Sequence, residues 1–287
     1  MSDHHEGQRV SRRSMFAGVG SIGLGTLLAA CGSQAGGSTT VTTSTGESQA
    51  LTPQTATDAS DLFSGVNTCT LTPDTTQGPY YFDADKVRSD IREDRQGVRL
   101  RLALKVQDSE TCAALPNAVV EIWHCDAAGL YSGAESQSSG GGGGMPPGPP
   151  PEDGEKPGGG GPGGGGGDQD LVPTDDKRYL RGAQVSNADG VVEFTTIWPG
   201  WYTGRTVHVH VMVHVSNERV LTSQLMFDEQ LNSAVFARAP YSEHTGRDTF
   251  NDGDNIFEDS MLLKVVPEDD GYLASIVLSA DSDQDGA

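Results

Sequence analysis

Basic residues are scarce in this chain. Against 40 Asp and Glu there are 19 Lys and Arg, a formal net charge of -21 over 287 residues. A field of that sign repels polyanions, which excludes nucleic acid as a partner. Cysteine is scarcer still, with 4 in all, at Cys31, Cys69, Cys112 and Cys125. Their scattered spacing argues against a zinc knuckle. No secure membrane span is present: the apolar run from Ala17 to Ala30 is too short and too rich in Gly. Internal repeats and long amphipathic helical patterns are also missing. Hydrophobic residues make up 35%, so a core is possible only if the polar and Gly-rich stretches lie outside it.

Those stretches divide the chain. Ser11-Arg12-Arg13-Ser14-Met15-Phe16 has the twin-arginine export pattern, and Leu28-Ala29-Ala30-Cys31-Gly32 resembles a bacterial lipobox. Residues 1–31 are therefore expected to be an export signal, with cleavage before Cys31, lipid on its thiol and the membrane reached only through that anchor. The alternative is a plain cleaved signal with Cys31 incidental. Residues 32–60, rich in Ser, Thr and Gly, read as a flexible tether. Residues 61–287 read as one domain, interrupted at 138–168 by a Gly/Pro-rich insertion that cannot bury a core and is expected to be disordered. Outside the cytoplasm Cys69, Cys112 and Cys125 should give one disulfide and one free thiol, with all three pairings open.

Within the domain the signal is period-two alternation. Val98 to Val106 alternates strictly, and Ala118 to Trp123 follows after a turn; the two read as an antiparallel pair. Tyr179 to Gln184 and Val191 to Ile197 flank an Asp189-Gly190 turn and read as a hairpin. Val220 to Phe227 and Tyr272 to Ser279 are further strands. Glu229 to Glu258 reads as polar loop. Asn251-Asp252-Gly253-Asp254-Asn255 and Asp281-Ser282-Asp283-Gln284-Asp285-Gly286 resemble calcium loops but read better as acidic turns. The fold class is all-β, a mixed-sheet β-sandwich with long loops.

The stretch Thr195 to Val215 organises the chemistry. Its strand places Val207, Val209, Val211, Val213 and Val215 on one face and His208, His210, Met212 and His214 on the other. His208 and His210, at i and i+2, project the same way about 7 Å apart and can grip one ion. His214, about 13 Å from His210, is not counted as a ligand. A Pro199-Gly200 turn delivers Tyr202 beside them. A phenol loses its proton to a hard trivalent cation, so Tyr with two His suits ferric iron better than zinc. The competing reading is core histidines and an aromatic packed beside Trp198 and Trp201.

Further segments extend the pattern in a fixed order. They are Thr72-Pro73, Gly78-Pro79-Tyr80-Tyr81, Ile122-Trp123-His124-Cys125-Asp126-Ala127-Ala128-Gly129-Leu130-Tyr131, Arg181-Gly182-Ala183-Gln184, Asp189-Gly190, Phe194-Thr195-Thr196-Ile197 and Pro199-Gly200-Trp201-Tyr202 through Arg205 to His208-Val209-His210. Together they resemble the intradiol ring-cleavage dioxygenases, non-haem Fe(III) enzymes that include protocatechuate 3,4-dioxygenase and catechol 1,2-dioxygenase, over roughly Cys69 to Phe227.

The resemblance implies that Tyr131, Tyr202, His208 and His210 hold the iron. It also implies that Tyr202 leaves the iron and takes a substrate proton, and that Gln224 contacts the metal-bound solvent or its neighbours. Pro79 and Tyr80 would line the substrate mouth. Arg205, always cationic, is suited to stabilise charge developing on the ring. His124 is expected behind the site or at the surface. The implied reaction inserts both atoms of O2 between the two hydroxylated carbons of a catechol, giving a cis,cis-muconate. The alternatives are a non-catalytic surface-binding lipoprotein and a zinc hydrolase built on His208 and His210.

Overall fold

The computed structural model describes residues 39–42, 47–53, 60–63, 69–139 and 170–284. The expected export signal with Cys31, most of the Gly/Pro-rich insertion and the last three residues lie outside the described residues. The strands are β1 (Thr39–Thr42), β2 (Ser48–Leu51), β3 (Arg99–Asp108), β4 (Val119–Trp123), β5 (Arg181–Val185), β6 (Val191–Ile197), β7 (His208–Val215), β8 (Glu218–Met226), β9 (Lys264–Glu268) and β10 (Gly271–Ala280). Among the described residues two α-helices accompany them, α1 (Glu135–Ser138) and α2 (Glu229–Phe236), with short 3-10 turns besides. Among the described residues, no helix is long and apolar enough to cross a membrane.

Two four-stranded sheets form an all-β sandwich. One has the order β6-β3-β10-β9 and is mixed, because β3 and β10 run parallel; the other, β5-β4-β7-β8, is antiparallel throughout. Alternation explains what lies between them. Leu100, Leu102 and Leu104 of β3, Phe194 of β6 and Leu278 of β10 face Val120 and Ile122 of β4 and Val209, Val211 and Val213 of β7 in one fully or nearly fully buried cluster. Each Leu, Ile or Phe so buried contributes about 1.5–3 kcal/mol. Successive strand side chains alternate in direction. The other face of β4 and β7 therefore carries Trp123, His210 and Met212, and this face is also covered, by Tyr80, Tyr81 and Tyr131.

Several pairings differ from those the sequence suggests. β3 and β4 are not partners; they belong to opposite sheets. Nor do β5 and β6 form a hairpin. The turn between them lifts the chain from one sheet to the other, with Gly190 at φ 75° and its Cα so close to the Val106 carbonyl that a Cβ would sit 2.3 Å away. The reason is general: alternation says which face of a strand is buried, not which strand lies beside it. The stretch Glu229–Glu258, expected as loop, begins with α2, capped by the Asp228 carboxylate on the backbone N–H groups of Gln230 and Leu231. Within the expected tether, β1 and β2 pair as a short antiparallel hairpin. Cys69 and Cys112 form the disulfide, Cα atoms 5.2 Å apart, and Cys125 is the free, buried thiol.

Candidate active site

β7 lies inside its sheet, between β4 and β8, and this fixes both histidines. His210 is in register with Trp123 on one side and Gln224 on the other. The Trp123 indole stacks on the His210 ring, centroids 4.9 Å apart and 3° from parallel, and the Tyr81 ring packs against that indole, tilted, at 4.7 Å. Gly78 closes over His210. Its φ is 73°, and a Cβ there would stand 3.1 Å from His210 Cε1. His208 is oriented differently: its Nδ1 donates to the Thr206 carbonyl at 2.7 Å. A carbonyl only accepts, so the proton is on Nδ1 and Nε2 presents its lone pair. That Nε2 lies 3.2 Å from the Tyr202 hydroxyl and 3.2 Å from His210 Nε2.

The two tyrosines arrive from separate loops locked back to back. Asp126 accepts from the N–H groups of Ala128 and Leu130 and shapes the turn that delivers Tyr131. Gly129, at φ 83°, lies against the Trp201 carbonyl with no room for a Cβ, and Gly200 N–H donates to the Asp126 carbonyl. Tyr202 and Arg205 then bridge across a tight turn through Gly204 at φ 82°. The Tyr131 and Tyr202 rings meet edge to face at 5.7 Å, and Tyr131 lies 6.4 Å from the His210 ring. The Tyr131 hydroxyl is fully buried, and the Tyr202 phenol interacts with it outside ordinary hydrogen-bond geometry. A buried hydroxyl so poorly satisfied is costly.

Electrostatics keep all four side chains neutral as they stand. Burial pushes the Tyr131 hydroxyl well above its usual range, and it pushes Tyr202 up to about 12 although Arg205 opposes the shift. Burial, reinforced by Arg205, pushes His208 down to about 3. His210 is driven well below its ordinary value by burial and by His208. The result is two neutral imidazoles and a phenol in contact through His208 Nε2, with the Tyr131 ring packed against Tyr202 and His210. Phenols so placed ionise when a cation replaces their protons. Among the described residues no three His, Cys, Asp or Glu side chains are grouped as metal ligands, so a metal held here depends on phenol oxygens.

Arg205 lies at the rim, 17% exposed, with Nε on Asp254 Oδ2 at 2.9 Å and Nη2 donating to Gln224 Oε1. The Gln224 amide must turn its oxygen to this donor, so its Nε2, buried and without a partner, is left as an unused donor. The Tyr80 ring stacks on Tyr131 at 4.6 Å and stands edge-on to Tyr202 at 6.3 Å, while Pro79 is exposed beside Gly78. Tyr131, Tyr202, His208, His210, Arg205, Gln224 and Tyr80 are thus brought together. His124 is buried behind them, its Nδ1 donating to the Cys125 carbonyl and its Nε2 accepting from Thr196. His214 lies apart, beyond a register shift in β7.

Three contributors escape sequence reasoning. Asp254, inside the calcium-like turn, clamps both Arg205 and the Thr206 N–H; for it Arg205 and backbone donors outweigh burial and hold the carboxyl below the usual range. Trp123 and Arg181 are quoted in the ordered segments, but only packing reveals what each touches. A cavity of about 450 Å3, lined by Arg95, Asp126, Ala127, Ala128 and His244 among others, contains none of the converging four. Its wall includes His244, which stacks on Trp201, and the chemistry is placed by donor geometry and not by the size of this hollow.

No protein-family model and no curated protein matches the chain. Solved structures do. An intradiol ring-cleavage dioxygenase from Tetranychus urticae is 30% identical, with 75% of this chain and 96% of that one aligned at a TM-score of 0.61. A second dioxygenase is 29% identical, over 75% of this chain and 95% of its own length, at a TM-score of 0.62. The likeness spans nearly the whole of both enzymes, and by it the chain belongs to the intradiol ring-cleavage dioxygenases.

Proposed function

We propose that Tyr131, Tyr202, His208 and His210 hold one ferric ion, and that the site opens a catechol ring between its two hydroxylated carbons. The observation that carries this is the clustering of two phenols and two imidazoles, buried together, in a ring-cleaving dioxygenase. The donors fit the ion. Two tyrosinates supply hard anionic oxygen and two neutral imidazoles complete a set suited to a trivalent cation. Bound there, ferric iron supplies Lewis acidity and a template for the two adjacent substrate oxygens.

The chain's own residues do the rest. Tyr202, partly buried at the edge of the cluster, would be a tyrosinate with the metal bound, and in that form its oxygen is placed to accept a proton from the incoming diol. Arg205, immobilised by Asp254 and Gln224, stabilises negative charge spreading into the ring. Gln224 offers its unused N–H to an oxygen close to His210. The faces of Tyr80 and Tyr131 exclude water and orient the flat substrate. Both atoms of O2 end in a cis,cis-muconate-type dicarboxylate.

Export and anchoring belong to the same proposal and rest on Arg12-Arg13 and the Leu28–Gly32 segment. Replacing Cys31 by Ala should move the protein from the membrane to the soluble fraction; retention would refute the anchor. For the reaction, oxygen uptake by iron-loaded protein should appear with at least one of catechol, protocatechuate and hydroxyquinol, with a ring-opened product. No uptake on all three by protein carrying one iron per chain overturns the assignment.

A further inference from the structure

Arg181 opens β5 in register with Trp123, yet its side chain leaves the sheet for the loops. It is 1% exposed. Its Nη2 donates to the Tyr80 carbonyl at 2.7 Å and to the Ser132 carbonyl at 2.9 Å, and its Nε donates to Ser132 Oγ at 3.0 Å. The guanidinium lies 4.1 Å over the Phe82 ring, and Phe82 in turn fills the space where a side chain on Gly133 would go. Tyr80 and Ser132 belong to different segments, one carrying the ring stacked on Tyr131, the other following Tyr131 directly.

The energetics make this arrangement conspicuous. Burying a guanidinium is expensive unless it is paired; among the described residues Arg181 makes no ion pair, Glu121 acts on it only through space, and its Nη1 has no hydrogen-bond partner. Burial lowers its pKa to about 10, so it stays cationic at neutral pH. An aliphatic side chain would fill the volume at less cost. What it would not do is hold two loop carbonyls at a fixed separation, which a planar fork with several donors does.

We propose that Arg181 is a positioning residue that sets the spacing between Tyr80 and Tyr131, and so between the wall of the diol site and one of the metal's phenol donors. The inference rests on the ferric-catechol reading. Residues that hold metal ligands in place cost about 10–100-fold in metal affinity when lost, which sets the size of the effect. Lys at this position keeps the charge but not the fork, so it should recover only part of it.

The test is ferric titration of metal-free parent, Arg181→Lys and Arg181→Met proteins against a competing chelator, reading affinity and the visible tyrosinate-to-iron band, with circular dichroism as the fold control. Arg181→Met should bind iron about 10–100-fold more weakly, with an altered band and an unchanged β spectrum. Arg181→Lys should fall between it and the parent, and in the loaded proteins the diol KM should rise in the same order. Parent affinity and band in both variants would overturn the proposal. If Arg181→Met does not fold, Arg181→Lys and Phe82→Leu, which removes the ring beneath the guanidinium, decide on the same readings. A parent that itself binds no iron refutes the underlying ferric assignment instead.

Discussion

Arg205 can act on a substrate only while something holds its guanidinium still, and Asp254 and Gln224 do so from 49 and 19 residues away. Arg205→Ala should lower kcat by about 10²–10³, the usual loss for a charge-stabilising donor, and leave iron content and colour unchanged; steady-state kinetics with metal analysis checks this. Asp254→Asn should fall between parent and Arg205→Ala. His124 offers a test by pH. Burial, against the pull of the Cys125 carbonyl, lowers its pKa to about 4. The unfolded chain therefore binds this proton more readily than the folded one, and stability falls as pH drops from about 6.5 towards 4, by roughly 3 kcal/mol at the limit. His124→Gln should flatten the slope of urea-melt stability against pH in that window; an unchanged slope contradicts the assignment. At this scale the sequence was uneven. Tyr202, His208 and His210 are neighbours in the chain and could be read from spacing. Tyr131 needed the resemblance. Nothing near Asp254 points to Arg205.

Elements explain why the site lies where it does. β4 and β7 send alternate side chains to two different layers, so the strand that anchors the sandwich core through Ile122 also presents Trp123 to His210. The two layers should separate under mutation. Ile122→Ala should cost about 2–5 kcal/mol of stability while the folded protein still takes up one iron. Gly78→Ala should instead reach the site: the left-handed φ of 73° and the 3.1 Å approach to His210 Cε1 make it lose about 1–2 kcal/mol and, unlike Ile122→Ala, bind iron measurably more weakly. Urea melts and chelator competition read both. Strand positions and faces were legible because alternation is a local signal. The partners were not. β3 pairs with β10, whose Gly271 aligns with Arg99, and no local pattern records a parallel pairing across most of the domain. The turn at Gly190 looked like a hairpin turn because a sheet-to-sheet step uses the same residues. The helix α2 was hidden by its shortness, two turns set in a long polar stretch.

The chain is acidic overall, and its described residues enclose an aromatic-lined site and carry the Cys69–Cys112 disulfide. In the chain-entropy view a Cys69–Cys112 link spanning 43 residues contributes about 4 kcal/mol; Cys69→Ser with Cys112→Ser should lower stability by an amount of that order, read by thermal or urea melts. Buried Cys125, its thiol held protonated by burial, should remain unlabelled by thiol reagents in the native state of parent and variant alike. The central claim concerns the four converging donors, and the most direct measurement is the visible spectrum of the metal-free protein as ferric iron is added. One iron per chain with a red to purple tyrosinate band, lost with iron affinity in Tyr131→Phe and His210→Ala, is the expected result. Stoichiometric iron in a colourless protein would contradict it.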